Sequence, residues 1–241
     1  MTKRFHIIIC LCVYSFCSVC CVASEPKEEE YTRLRHEMVK NQIESRGIFH
    51  PRVLDALKTV PRHRFVPEKN RNLAYNDHPL PIGEDQTISQ PYIVALMTEI
   101  LNPDPDQTVL EIGTGSGYQA AILAQLYKQV YTIEIIESLG KRSQNLLAER
   151  GYRNVQVKIG DGYQGWKEHS PFDAIIVTCA PTHIPEPLKE QLAEGGKMII
   201  PVGEAYDQRL VLLVKEKGKI REKEVIPVRF VPMMGENGKT Y

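Results

Sequence analysis

The sequence predicts an α/β fold with a mostly parallel central sheet, helices on both faces and an antiparallel strand at one edge. Three observations carry this. After Pro105, short β-branched runs alternate strictly with amphipathic helical patterns, the order of a parallel sheet covered by helices. The first of these strands enters its helix through a loop holding Gly113, Gly115 and Gly117. The last two strands, Leu210–Val214 and Glu224–Phe230, are separated only by the charged turn Lys215–Lys219, a hairpin-like end that sets an antiparallel strand at the edge. A length of 241 residues, with 42% hydrophobic and 25% charged, suits one globular unit with modest additions.

The first 24 residues differ from the rest: Lys3 and Arg4 precede an apolar run from about Ile7 to Val22 that ends in Ala23 and Ser24. That is the shape of a secretory leader. The run is shorter than the roughly 20 residues of a membrane span, which favours a leader over a transmembrane helix; a start codon assigned too far upstream is the alternative. Five of the six cysteines fall inside it, so the rest keeps only Cys179 and offers neither an internal disulfide nor a cysteine cluster for a metal. Lys plus Arg equals Asp plus Glu at 30 each, so no excess positive charge draws nucleic acid.

Residues 25–30 read as a charged linker with nothing to bury, and folding is expected from Tyr31 to about residue 235, leaving 236–241 as a tail. Leu34, Met38, Val39 and Ile43 mark a first helix closed by Gly47, and Pro51 opens a second with Val53, Leu54 and Leu57 inward. From Pro61 to Gln90 the Pro, Asn, Asp and Gly content predicts irregular surface structure, a length of loop that is usually functional. Pro91 opens a helix that closes before Pro103 and completes substrate-side additions over 31–104. The cofactor-binding sheet of 105–235 then follows: strands Thr108–Ile112, Val130–Ile135, Val155–Ile159, Phe172–Val177 and Lys197–Val202, and helices Tyr118–Tyr127, Glu137–Arg150 and Pro187–Leu192.

The loop Glu111-Ile112-Gly113-Thr114-Gly115-Ser116-Gly117 joins a buried strand to a helix. Glycine suits it because the turn needs unusual backbone angles and a ligand must approach the main chain closely. Nicotinamide, flavin and S-adenosylmethionine enzymes share such loops. The dinucleotide fingerprint wants Gly or Ala at the sixth position, where this chain has Tyr118, and Glu111 ahead of the loop matches motif I of Rossmann-like S-adenosylmethionine methyltransferases. Glu134, 21 positions after Gly113, ends the next strand where a carboxylate accepts hydrogen bonds from ribose hydroxyls. Asp161 and Gly162 follow the third strand, where methyltransferases meet the adenine; a simple Gly-Asp-Gly turn is the alternative.

Outside this core, Val60-Pro61-Arg62-His63-Arg64-Phe65-Val66-Pro67, Pro81-Ile82-Gly83 and Gln86-Thr87-Ile88-Ser89-Gln90-Pro91-Tyr92 closely resemble the protein-L-isoaspartate O-methyltransferases. Phe172–Thr178 and Leu192–Gly203 extend the resemblance to about residues 31–235. It implies methyl transfer from S-adenosylmethionine to the α-carboxylate of L-isoaspartyl residues in damaged proteins and peptides, without a metal. It implies Ser89 as the catalytic residue, Thr87 and Ile88 as substrate-binding, and Glu111, Gly113, Thr114, Gly115, Ser116, Gly117, Glu134, Asp161 and Gly162 as cofactor-binding. Asp85 stands where the family often has a second glycine, and Asp tolerates left-handed angles better than most residues.

The acceptor carboxylate, with a pKa of about 4, is ionised at neutral pH and demands no strong general base. Ser89 is placed to hydrogen-bond it; the alternative is that Ser89 caps the helix opened by Pro91. Arg62, His63 and Arg64 either attract the substrate carboxylate or form a solvated turn, and Tyr163 and Trp166 either edge the adenine or pack the core. Competing functions are a methyltransferase for a small-molecule acceptor, a noncatalytic adenosine-ligand module and, disfavoured by the Gly117-Tyr118 spacing, a nicotinamide dehydrogenase. A monomer in the cytoplasm is expected from cofactor supply, with the periplasm or a secretory compartment as the alternative if residues 1–24 act as a signal. No nucleic acid or lasting membrane partner is expected beyond that leader.

Overall fold

The computed structural model describes residues 27–236 and 238–241, so the leader-like segment lies outside the described residues. Among them, no helix is long and apolar enough to cross a membrane. The acidic run expected as linker is instead the first turn of helix α1 (Glu28–Met38). Carboxylates there meet the positive end of the helix dipole. Glu28 also reaches Arg64 Nη2 at 2.8 Å and His63 Nε2 at 3.4 Å, contacts that no local pattern announces. The helix continues through a π turn, Val39–Ile43, and a 3-10 turn, Glu44–Arg46, to Gly47 at φ 90°. Helix α2 (Pro51–Thr59) opens on its proline and buries Val53, Leu54 and Leu57, as its spacing predicts.

The segment after α2 corrects the sequence expectation twice. Arg62 and His63 are fully buried, neither solvated nor at a ligand groove. Arg62 donates through Nε to the Ala74 carbonyl at 2.8 Å and lays its guanidinium 4.9 Å from the Tyr118 ring centre, and burial pushes its pKa down to about 10. His63 stacks on Tyr31 at 3.9 Å and shares a 2.8 Å hydrogen bond with the Tyr75 hydroxyl. Residues 80–88, expected as irregular, form a hairpin of β1 (Leu80–Gly83) and β2 (Gln86–Ile88). Its turn residues Glu84 and Asp85 both have positive φ, 53° and 55°, which a two-residue hairpin turn requires. Asp85 thus tolerates the left-handed angle as expected.

Helix α3 (Pro91–Leu101) leads into β3 (Thr108–Ile112), α4 (Tyr118–Ala124), β4 (Gln129–Glu134), α5 (Glu137–Glu149) and β5 (Val155–Ile159). Strand β6 (Phe172–Val177), helix α6 (Glu186–Glu190) and strands β7 (Leu192–Glu204), β8 (Asp207–Glu216) and β9 (Lys219–Val228) follow. The seven-stranded sheet runs β5-β4-β3-β6-β7-β8-β9, parallel from β5 to β7 and antiparallel from β7 to β9. β8 and β9 extend into the expected turn because the charges of 215–223 lie on the edge strand and its neighbour, where Lys, Arg and Glu face water without breaking the ladder.

Alternation along the strands divides the core. Val109, Val130, Ala174, Ile176 and Ile199 face helices α1 to α5, whereas Leu110, Ile112, Ile175, Val177, Met198 and Ile200 face Leu188 of α6, Tyr163, Trp166 and Met233. At the expected tail, Thr240 bridges Met234 and Tyr241 stacks on Tyr163 at 4.1 Å. Because the chain winds outward from β3 to β5 and then returns to β6, the crossovers diverge between β3 and β6. Such a switch point opens a crevice at the carboxyl ends of the strands.

The buried His63 makes the fold acid-sensitive. Burial pushes its pKa down to about 4, whereas an unfolded histidine titrates near 6.5. Between these values the unfolded chain binds a proton that the folded chain does not, so stability falls as pH drops from about 6.5 to about 4. Urea midpoints across that range should fall more steeply for the natural chain than for His63→Gln; equal slopes would remove His63 as the cause.

Candidate active site

Three adjoining cavities open at this switch point, and Thr87 and Thr178 line all of them. The first is a cleft of about 580 Å³ bounded by Gly113, Gly115, Glu134, Gly162, Met233 and Met234, among others. Its floor is backbone. Gly113 has φ 94°, and a Cβ there would lie 2.5 Å from Thr178 Oγ1; a Cβ on Gly162 would lie 2.4 Å from Ile112 Cγ2. Both positions therefore exclude side chains, and of the Gly-Asp-Gly stretch Gly162 lines the cleft. The Thr178 hydroxyl lies 2.8 Å from the Gly113 carbonyl and 3.0 Å from that of Ile112, tying the end of β6 to the loop.

Glu134 is 5% exposed and lines this cleft. Its carboxylate accepts from Gly115 N at 2.7 Å and Ile136 N at 3.0 Å. Burial raises its pKa while those backbone donors oppose the shift. A carboxylate has about four acceptor sites, and with the Ile135 backbone N–H also acting on it this one retains capacity for a further donor such as a hydroxyl. Cys179 also lines the cleft, but burial and the charges of Glu134 and Asp161 push its thiol up, which keeps it protonated and poorly nucleophilic.

The remaining predicted cofactor residues divide. Thr114, Gly115 and Ser116 line a smaller cavity beneath the loop together with Ile88, Ser89, Tyr118 and Gln119. Gly117 lines none of the three; its φ of 85° starts α4, and a Cβ there would lie 3.3 Å from Leu147 and Ser143. Glu111 does not reach a cavity either. It is wholly buried under the loop, where it accepts from the Thr132 hydroxyl at 2.6 Å, and Thr132 in turn shares a 2.6 Å bond with Thr114. Asp161 borders the cleft only through its neighbour Gly162, for its carboxylate accepts from Tyr163 N at 2.9 Å and from the Tyr241 hydroxyl. Trp166 packs edge-on against Tyr131 at 5.4 Å, a core contact.

The third cavity is a groove of about 1080 Å³ running from the β1–β2 hairpin to the end of β9. Ser89 lines both this groove and the smaller cavity. The first residue of α3 is Pro91, its N-cap is Gln90, and no side chain caps it. Ser89 therefore does not serve as the cap, and its hydroxyl has no hydrogen-bond partner among the described residues. Ile88 is buried, 4% exposed, so its side chain anchors β2 while Thr87 faces outward. Local pattern missed Thr178 and the Met233–Met234 wall. The first was discoverable as the residue just past β6; the second depends on the chain's return after β9, for which the sequence carries no periodic signal.

Among the described residues, no group of three or more His, Cys, Asp or Glu is arranged to hold a metal ion. Residues 33–238 match the family model described as Protein-L-isoaspartate(D-aspartate) O-methyltransferase. A protein-L-isoaspartate O-methyltransferase of Gloeobacter violaceus is 55% identical over 200 residues, 83% of this chain and 98% of that protein. One from a Picosynechococcus species is 54% identical over 204 residues, 85% of this chain and 91% of that protein. A solved structure of a protein-L-isoaspartate O-methyltransferase superposes with TM-score 0.78 at 28% identity, covering 85% of this chain and 67% of the other. A Plasmodium falciparum structure described as such a β-aspartate methyltransferase, in complex with S-adenosyl-L-homocysteine, gives 0.74 at 28% identity, over 83% and 97%.

Burial pushes the Glu111 pKa up to about 8, with the Glu134 charge adding to the shift. The folded chain therefore holds a proton that an unfolded glutamate releases above about 4.3, and stability declines as pH rises from there to about 8. Glu111→Gln keeps the shape without the titration. Its melting temperature should exceed that of the natural chain at pH 8, with the advantage shrinking toward pH 5. A constant difference at both pH values would contradict a neutral Glu111.

Proposed function

The chain belongs to the protein-L-isoaspartate(D-aspartate) O-methyltransferase family, and from that premise we propose how its own residues divide the reaction. The reaction is methyl transfer from S-adenosylmethionine to the α-carboxylate of isoaspartyl residues, the first step in repair of damaged proteins. The cleft fits the donor on two observations: a floor from which Gly113 and Gly162 exclude side chains, and a buried Glu134 with acceptor capacity to spare. When bound, the donor supplies an electrophilic methyl group on a sulfonium centre. Gly113, Gly115 and Gly162 would admit it against the backbone, Glu134 would take the ribose hydroxyls, and Asp161 would meet the adenine edge while Tyr163 and Tyr241 hold its carboxylate in place.

Ser89 carries the acceptor side. The observation that supports it is an uncommitted hydroxyl at the opening between the groove and the neutral cavity that reaches the glycine loop. Ser89 donates to one oxygen of the acceptor carboxylate, and Thr87, which borders all three cavities, stands beside it. The carboxylate is already an anion, so the protein removes no proton. Its task is to hold oxygen, methyl carbon and sulfur in line and to exclude water, effects worth up to about 7–11 kcal/mol when geometry is well fixed. We also place the enzyme in the cytoplasm, as a monomer, because the methyl donor is made there; sequencing the mature N-terminus from fractionated cells tests this against export through residues 1–24.

The decisive assay supplies labelled S-adenosylmethionine with two matched peptides, one isoaspartyl and one aspartyl. Base-labile label is expected on the isoaspartyl peptide alone; label on both or neither would refute the acceptor. Ser89→Ala should fold normally, since no cap is lost, and bind the donor normally. Loss of a hydrogen bond to a charged group should lower kcat/KM about 10- to 100-fold; unchanged turnover would remove Ser89 from the acceptor site.

A further inference from the structure

The groove beside Ser89 is lined by a single ionisable side chain, Arg229. Its backbone is fixed. Phe230 N donates to Gln208 Oε1 at 2.6 Å, Gln208 Nε2 donates to the Phe230 carbonyl at 3.2 Å, and Ala180 N donates to the Val231 carbonyl at 2.8 Å. The guanidinium itself is not neutralised: among the described residues it makes no ion pair, and the nearby Asp207 carboxylate faces Arg209 at 3.6 Å. It lies 5.4 Å from the ring centre of Tyr206, which is 90% exposed at the tip of the β7–β8 hairpin. A planar cation braced on an aromatic face keeps its edge N–H donors free for a carboxylate.

We propose that Arg229, braced by Tyr206, is a specificity-determining residue that favours isoaspartyl sites flanked within a residue or two by Asp or Glu. The proposal rests on the groove being where the isoaspartyl peptide lies. The acceptor carboxylate is common to every substrate, so a fixed cation at the groove mouth distinguishes substrates only by the charge of their flanks. An unpaired arginine there attracts acidic flanks and repels basic ones. The interaction is exposed and screened by salt, which limits each step of flank charge to about a two- to fivefold change in kcat/KM. The change should fall on KM, because the flank takes no part in methyl transfer.

The test uses three isoaspartyl peptides differing only in one flanking residue, Glu, Gln or Lys, assayed with the full chain at 0.05 M and 0.5 M salt, both on the order of the range where screening changes strongly. The natural chain should prefer Glu over Gln over Lys at low salt, with the ratios compressed at high salt. Arg229→Gln should bring the three peptides together, Arg229→Glu should reverse their order, and Tyr206→Ala should shrink the preference with Arg229 in place. Equal rates for the three peptides with the natural chain, or the same ratios in Arg229→Gln, would overturn the assignment while leaving the isoaspartyl reaction intact. Failure to methylate any of the three would overturn both.

Discussion

The close approach of Gly113 to Thr178 is the constraint on which the site depends. Strands β3 and β6 are neighbours in the sheet, yet the crossovers that follow them leave in opposite directions, so the chain ends just past Ile112 and Val177 face an open crevice. The Thr178 hydroxyl closes that gap against the Gly113 carbonyl, and only glycine leaves room for it. The cleft, the small cavity and the groove are all lined by Thr178. The cavities thus meet just past the ends of two neighbouring strands of the sheet.

The acceptor side is mounted differently. Ser89 stands between a hairpin and a helix, and the hairpin is tied to the rest through Arg142, which donates to the Ile82 carbonyl at 2.8 Å, and through the buried Leu80, Ile82 and Ile88. Behind it, Arg62 donates through Nε to the Ala74 carbonyl and His63 shares a hydrogen bond with the Tyr75 hydroxyl, which ties an irregular segment into the molecule, although Nη1 and Nη2 of Arg62 have no hydrogen-bond partner among the described residues. Arg62 and His63 serve to bury and anchor this segment, while Arg64 stays at the surface and pairs with Glu28.

How much of this was legible depended on whether the signal was local. Strands β3, β5 and β6 have the bounds that their β-branched runs predicted, because the buried β3 and β6 read as near-continuous apolar stretches and the edge strand β5 as an alternation of apolar and polar residues. The glycine loop and Glu134 were readable for the same reason: backbone angles and strand ends are properties of a few adjacent residues. The burial of Glu111 and its bond to Thr132 were not legible, since a buried acid looks, in sequence, like one facing a ligand. The burial of Arg62 and His63, the return of Tyr241 to Asp161 and the Arg229–Tyr206 pair all join residues distant along the chain, and periodicity says nothing about such contacts.

The chemistry explains why the centre is so plain. The small cavity between groove and cleft is lined by the side chains of Thr87, Ser89, Thr114, Ser116, Gln119 and their apolar neighbours, with no charged group among them. A carboxylate approaching a sulfonium already carries the opposite charge, so a further cation there would compete for the acceptor and an acid would repel it. Neutral hydroxyl donors orient the anion without binding it so strongly that its nucleophilicity is lost. The charged groups accordingly sit one layer out, Glu134 on the cleft and Arg229 on the groove, while burial holds Glu111 beneath the loop toward its neutral form. Placing charge at the rims and dipoles at the centre lets one fold hold two oppositely charged reactants in contact while perturbing neither.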